Sequence, residues 1–292
     1  MSHAGEIAPL CQIAGPDIGI ITNIGTAHIE FLKTREGIAE EKSALARALP
    51  EQGTLILPAS CDFVDYLIER TRAKVMIAGN CRGVVRAEDL RVTETGSVFK
   101  LCIDQQDEVP VELSVSGKHM VNNALLAAAT GHALGMKSPE IAAGLSQAQL
   151  TGGRLQKYVS GGVSVIDDTY NANPDSVIAA IDTLVELPTH NGARRLVVLG
   201  AMAELGVHSD AEHRRVGKVA AEKNLTVVSV GDGARKIYEG AIEVSDDVHQ
   251  FDDAESAALW IKDFCKEGDS ALFKGSRMAG MEKVMNQAFP HN

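Results

Sequence analysis

Apolar and polar positions alternate along the chain in short buried runs and longer amphipathic stretches. Residues 17–25 (DIGIITNIG) form a near-continuous apolar run closed by glycine. That is the pattern of a strand buried on both faces of a parallel sheet. The spacing predicts a helix over 34–49, and short apolar runs at 54–57 and 74–78 flank a further helical stretch, the rhythm of βαβ units. Three strand-like segments, 84–92, 98–103 and 109–115, follow without helices between them and predict an antiparallel extension of the sheet. The small-residue run 119–135 reads as a helix. Ser138-Pro139-Glu140 opens another, with Ser as N-cap and Pro at the first helical position. It fades into SQAQLTGG, which places a domain boundary near Leu150.

Beyond that point strands are predicted at 163–167, 196–200, 226–231 and 271–274, and helices at 176–187, 210–223 and 254–264. Ser209-Asp210-Ala211-Glu212 fits a capping box at the start of the second of these helices. The fold class is therefore α/β with two domains, 1–150 and 151–292, a count that the 292 residues also favour. Apolar residues at 45% and charged residues at 23% are the balance of an ordinary globular protein with a packed core.

The formal charge of −11 argues against a broad nucleic-acid or anionic-membrane surface, because both need clustered Lys and Arg. A nucleotide remains possible, since helix N-termini and a few cations hold one locally. Cys11, Cys61, Cys81, Cys102 and Cys265 are odd in number, scattered and without a C-x-x-C pair, which reads as reduced, cytosolic and free of a zinc site. No stretch has the length of a membrane span and no signal peptide opens the chain, so a cytoplasmic location is expected.

Lys42 is the most informative single position. Ile38, Lys42, Leu45 and Leu49 share one helical face, and that face is the apolar one. A lysine there either snorkels its head to water or is a functional group that is paired, neutralised or modified. His28 lies just past the end of the first predicted strand, where open α/β sheets bind ligands. It is either a hydrogen-bonded structural residue or a metal ligand.

The densest polar cluster is Asp167-Asp168-Thr169-Tyr170-Asn171-Ala172-Asn173-Pro174-Asp175-Ser176, between a predicted strand and helix. Such a turn offers N–H groups to phosphate and carboxylates to a ribose or a metal-bound water. Ordinary turn and cap chemistry would account for Asn173 to Ser176 but not for the pair Asp167-Asp168. Lys274-Gly275-Ser276-Arg277 also follows a strand end and could receive a carboxylate or phosphate, or be a solvated loop. Gly152-Gly153-Arg154 is a linker or a hinge carrying a cation. No G-x-x-x-x-G-K-[ST] phosphate loop occurs in the chain.

Taken in order, SHAGEIA, NIGTAHIEF, REGIAEEKSALA, GKHMVNNALLAA, GGRLQ, IDDTYNANPDS, LGAMAELG followed by His213, and KGSRMAGME resemble the Mur ligases over essentially the whole chain. DDTYNANPDS and KGSR are similar to the member that adds D-alanyl-D-alanine to UDP-N-acetylmuramoyl-tripeptide. The resemblance implies an ATP-binding central domain with a mostly parallel sheet, then a Rossmann-like C-terminal domain. It places Lys42, His28 and Arg154 in the catalytic apparatus. Lys42 would be carbamylated and bind Mg2+, within reach of His28, itself a ligand of a second Mg2+. His119, Asn123, Arg154 and Asp168 would contact ATP, at the adenine, the phosphates (Arg154) and the ribose (Asp168). Asn173, Lys274, Ser276 and Arg277 would shape the dipeptide site.

Met120 departs from the family's H-N-x-x-N pattern, and Ala201 stands where Asp is common. The family's UDP-binding domain, phosphate loop and metal-binding Glu would precede Met1. A fragment, inactive alone and monomeric, is thus expected. Folylpolyglutamate and cyanophycin synthetases share the implied plan, and a non-catalytic module that kept the fold is the reading from another class.

Overall fold

The computed structural model describes the chain except at residues 80–82, 94, 105–106, 150–151, 189–191 and 291–292, and at the side chain of 107. Cys81 and the expected boundary at Leu150 lie outside the described residues. The chain divides into two compact units, Met1–Gln149 and Leu150–Asn292. No helix among the described residues is long and apolar enough to cross a membrane.

The first unit holds strands β1 (Ile18–Ile20), β2 (Thr54–Pro58), β3 (Lys74–Ala78), β4 (Val85–Val92), β5 (Ser97–Ile103) and β6 (Asp107–Leu113), paired in that order in one sheet. β1 to β4 pair in parallel, and β5 pairs antiparallel with both β4 and β6. The three helix-free segments therefore do extend a parallel sheet in antiparallel fashion. Helices α1 (Ile7–Ala14), α2 (Ile29–Leu32), α3 (Arg35–Ala48), α4 (Val64–Ile68), α5 (Lys118–Ala133) and α6 (Ser138–Ser146) complete the unit. Leu55, Ile56 and Leu57 on β2 and Leu125 on α5 are fully buried in its core.

Two expectations need correction here. The apolar run 17–25 is a strand only at Ile18–Ile20, and Ile20 is exposed, so it is not buried on both faces. Among the described residues β1 has β2 as its sheet neighbour. Ile21 and Ile24 are buried in irregular chain instead, a case an apolar run cannot distinguish from strand. Helix α6 starts one residue early: Ser138 is its first helical residue, and the Glu140 carboxylate accepts the Lys137 N–H as an N-terminal clasp.

The second unit holds β7 (Gln156–Ser160), β8 (Val163–Asp168), β9 (Arg195–Leu199), β10 (Thr226–Val230), β11 (Val248–Phe251) and β12 (Ser270–Lys274). Their order across the sheet is β11-β10-β9-β12-β8-β7, all parallel except for the antiparallel edge β7. Helices α7 (Pro174–Glu186), α8 (Ser209–Glu222), α9 (Arg235–Ala241), α10 (Ala254–Phe264) and α11 (Met281–Ala288) pack on this sheet or on one another. β10 and β12 are buried along their whole length, as central strands of a covered parallel sheet should be. Strands β7 and β11 and helices α9 and α11 come in addition to the elements expected from the sequence.

The capping box at Ser209 is not formed. A 3-10 turn (Gly206–His208) runs straight into α8, leaving Ser209 at φ −52° and ψ −55°, inside the helix rather than in the extended conformation a cap requires. Its hydroxyl lies beside His213 Nδ1, and Glu212 pairs with Arg215.

Candidate active site

Helix α3 begins where the Thr34 hydroxyl accepts the Gly37 N–H, and its apolar stripe lies on β1. Gly19 makes this possible, because a Cβ there would stand 3.0–3.2 Å from Leu45 and Leu49 side-chain atoms. Lys42 is one turn earlier on that stripe, beyond the strand's end, and is half-buried. Its Nζ donates to the Asn23 carbonyl at 2.8 Å. Burial pushes its pKa down, and the nearby Cys61 thiol opposes this. A neutral carbonyl is thus its acceptor, which leaves the amine more easily deprotonated than an exposed lysine.

The loop that supplies Asn23 also supplies His28. His28 sits at φ 65° and opens α2, its carbonyl accepting the N–H groups of Phe31 and Leu32. Arg35 secures the loop by donating to the Ile24 carbonyl at 2.7 Å and, through both terminal nitrogens, to Asp62.

Glu41 was not singled out from the sequence, yet it is buried beside Lys42. Its two oxygens accept the N–H groups of Gly5 (2.7 Å) and Ile7 (2.8 Å), which ties the start of α1 to α3. The signal was available, since Glu41 lies three residues from Ile38 and from Ala44, both buried. Helix α5 opens at the buried Gly117 without a side-chain cap. His119 in its first turn and Asn123 four residues on lie on one helical face, half-buried and exposed respectively.

In the second unit the candidate residues gather at the carboxyl ends of β8 and β12. Asp168 and Lys274 are register partners across these parallel strands. Lys274 Nζ donates to Asp168 Oδ2 at 2.5 Å and to the Asn171 carbonyl at 2.9 Å. The two side chains are 4% (Lys274) and 13% (Asp168) exposed, so this ion pair is largely desolvated. Asp168 Oδ1 accepts the Leu155 N–H at 3.2 Å. Arg154 is exposed, with its guanidinium carbon 4.3 Å from the centroid of the Tyr170 ring, a cation–π contact.

Turn chemistry accounts for more of the 167–176 cluster than expected. Asp167 accepts both the N–H and the hydroxyl of Thr169, and Asn173 caps α7 by accepting the Ser176 N–H while the Ser176 hydroxyl closes back. Ser276 is buried and gives its N–H to the Ala201 carbonyl, whereas Arg277 is exposed, 4.0 Å from Glu282. His213 is buried with its Nε2 accepting the Met202 N–H at 2.8 Å and its Nδ1 against the Ser209 carbonyl at 2.7 Å, which fixes the loop after β9. An Nε2 that accepts a backbone N–H carries no proton, which leaves the ring proton on Nδ1 facing the Ser209 carbonyl; burial holds the pKa down in the same sense.

Cys11, Cys61, Cys102 and Cys265 are free thiols. Among the described residues no three His, Cys, Asp or Glu side chains converge as a metal site would require. For Mg2+, which prefers oxygen, His28 and an unmodified Lys42 are not sufficient ligands.

The two units coincide with two families of domains. The Mur ligase middle domain matches residues 1–131, and the Mur ligase, glutamate ligase domain matches residues 153–277. The chain belongs to the Mur ligase family. Within that family it is similar to enzymes named UDP-N-acetylmuramoyl-tripeptide--D-alanyl-D-alanine ligase. It is 34% identical to that of Mycobacterium tuberculosis (strain ATCC 25618 / H37Rv) over 97% of this chain and 60% of the relative, and 32% identical to that of Bacillus subtilis over 98% and 62%. Its fold matches MurF from Acinetobacter baumannii with a TM-score of 0.89 at 34% identity, covering 99% of this chain and 63% of that one. MurF from Thermotoga maritima in complex with ADP matches at 0.84 and 28% identity, covering 98% and 65%. The chain thus spans about 60% of the length of the curated relatives it matches.

Proposed function

We propose that this chain supplies the central (1–150) and C-terminal (151–292) domains of an ATP-dependent ligase. The ligase joins D-alanyl-D-alanine to UDP-N-acetylmuramoyl-tripeptide in peptidoglycan precursor synthesis. The observation that carries this reading is similarity over 97% of this chain to ligases of that name, with DDTYNANPDS and KGSR held together at adjoining strand ends. A cytoplasmic, monomeric enzyme is the corresponding setting.

In this reading the terminal carboxylate of the tripeptide attacks the γ-phosphorus of ATP, and ADP leaves with the electrons of the broken P–O bond. The amine of the dipeptide then attacks the acyl phosphate, loses a proton, and expels inorganic phosphate. The chain's residues position and screen. Asp168 would hold the ribose with the lone pairs its present contacts leave, Arg154 the phosphates, and His119 and Asn123 the adenine. The exposed Arg277 is suited to the dipeptide carboxylate, with Asn173 and Ser276 shaping the turns around it.

Lys42 would serve as a carbamate: its neutral amine adds to CO2 and releases a proton, turning a half-buried cation into an oxygen donor. With His28 it would then contribute ligands to Mg2+, which when bound spreads the developing phosphoryl charge. The decisive assay, run on this chain joined to the N-terminal part of a related ligase because the chain alone is expected to be inactive, is phosphate release from ATP dependent on both the muramoyl tripeptide and D-alanyl-D-alanine. Release driven by glutamate or by a folate instead would move the chain to another amide ligase. Arg277→Ala should raise the KM for the dipeptide and leave that for ATP unchanged; the reverse would remove Arg277 from the dipeptide site.

A further inference from the structure

We infer that Lys274 is a positioning residue for Arg154 and does not contact the incoming dipeptide. The inference rests on the preceding reading only in taking ATP as the ligand of Arg154. Its ammonium is sealed in the second unit, 4% exposed, and spends its hydrogen bonds on Asp168 and the Asn171 carbonyl. Reaching a substrate would strip the Asp168 carboxylate of its cation in a desolvated place, which is costly.

What Lys274 holds is the turn after β8, and that turn holds the strap 152–155. Gly153 accepts the Tyr170 N–H at 3.0 Å, and Leu155 donates its own N–H to Asp168. Arg154 therefore sits between two peptide groups that are both tied to the Asp168–Tyr170 turn. The strap takes an unusual path to do this. Gly153 has φ +70°, and a Cβ there would lie 3.1 Å from the Tyr170 nitrogen; Leu155 is a non-glycine residue at φ 51°. Such a left-handed leucine persists where surrounding contacts over-determine it, and here the Asp168 carboxylate is one of them.

The third link is the Tyr170 ring, half exposed, under the Arg154 guanidinium. From Lys274 the chain of contacts runs through Asp168 to the Leu155 N–H, and through the Asn171 carbonyl to the turn bearing Tyr170. Both routes end at Arg154. Asp168 gains a second task from this arrangement: with Lys274 it forms the fixed point from which the cationic arm is hung.

The test is Lys274→Met, with Lys274→Gln, which keeps a donor for Asp168, as the variant that stays folded if the first does not. Nuclear magnetic resonance reads the stack directly, since the Tyr170 ring displaces the Arg154 Nε–H resonance upfield. That displacement should collapse in Lys274→Met and shrink in Lys274→Gln. In ligation assays the KM for ATP should rise by about tenfold, equivalent to about 1.4 kcal/mol, with the dipeptide KM unchanged. In an Arg154→Ala background the Lys274 substitution should raise the KM for ATP by less than it does in the parent, leaving only what passes through Asp168. An unchanged Arg154 resonance in both variants, a rise in dipeptide KM alone, or full additivity with Arg154→Ala would each overturn the inference. If the wild-type chain, joined to the N-terminal part of a related ligase, turns over no ATP with these substrates, the proposed reaction fails, and the resonance measurement alone decides whether Lys274 positions Arg154.

Discussion

Two lysines beyond or at the ends of parallel strands have opposite surroundings. Lys42, past β1, is half-buried and donates a hydrogen bond to a neutral carbonyl, with its pKa pushed down by burial. Lys274, at the end of β12, is more deeply buried but faces a carboxylate in direct register. The first is a cation poorly compensated for its desolvation, and so is open to chemical modification. The second is paired with a carboxylate and a backbone carbonyl, which favours keeping the charged form. Burial depth alone would rank them wrongly as reactive groups, because the partner, not the depth, decides whether the charged form is kept.

The largest effect that would break this contrast is catalytic. Lys42→Ala should lower ligation on the order of 10²–10³-fold, as for other lost charge-stabilising groups, and a small added carboxylic acid should restore part of it. Lys274→Met should show no such rescue. Rescue of both, or of neither, would remove the distinction. Mass spectrometry under mild conditions should find the added CO2 on Lys42 and not on Lys274.

Stability should change in the opposite sense. Removing one partner of the buried pair, by Lys274→Met or Asp168→Asn, should cost about 3–5 kcal/mol in urea unfolding. Lys42→Met should stay within about 1 kcal/mol of the parent, since it removes a desolvated charge that has no carboxylate. Equal losses would mean that Lys42 has an ionic partner after all.

A pH measurement sharpens the view of the second unit. The His213 imidazole is held below its ordinary 6.5, first by burial, with the Ser209 carbonyl, Asp210 and Glu212 pulling the other way. The unfolded chain therefore binds the proton first as pH falls below about 6.5. The stability that the neutral ring contributes is present above that pH and is lost progressively until the folded ring also protonates. His213→Gln should flatten this slope; an unchanged slope would assign the acid sensitivity elsewhere.

The smallest predicted effect compares two helix caps. Thr34→Ala on α3 and Asn173→Ala on α7 should each cost about 1 kcal/mol. Asn173→Ser should recover the stability. If it also leaves the dipeptide KM unchanged, Asn173 acts as a cap alone.

Much of the fold was legible because its signals are local. The stripe Ile38, Lys42, Leu45 and Leu49 places α3 and turns Lys42 inward, and the fully buried β10 and β12 show as short, mostly apolar runs. The edges were less legible. β7, β11 and the true length of β1 depend on which neighbour pairs with them, and 17–25 reads alike as strand or as buried loop. The Ser209 box failed for a similar reason, because the preceding 3-10 turn had already placed that residue in helix.

By itself the sequence determined the α/β alternation, the two candidate lysines, and the motifs that mark a Mur ligase, each of which is carried by residues close together in the chain. Only the tertiary structure decided what each charge faces. Asp168 and Lys274 are 106 residues apart and meet because β12 inserts between β8 and β9. Glu41 meets Gly5 and Ile7 because α1 folds back on α3. Periodicity states which side of an element is inward, but a charge is stabilised by the particular group it meets there. That partner is set by strand order and register, which no local pattern contains.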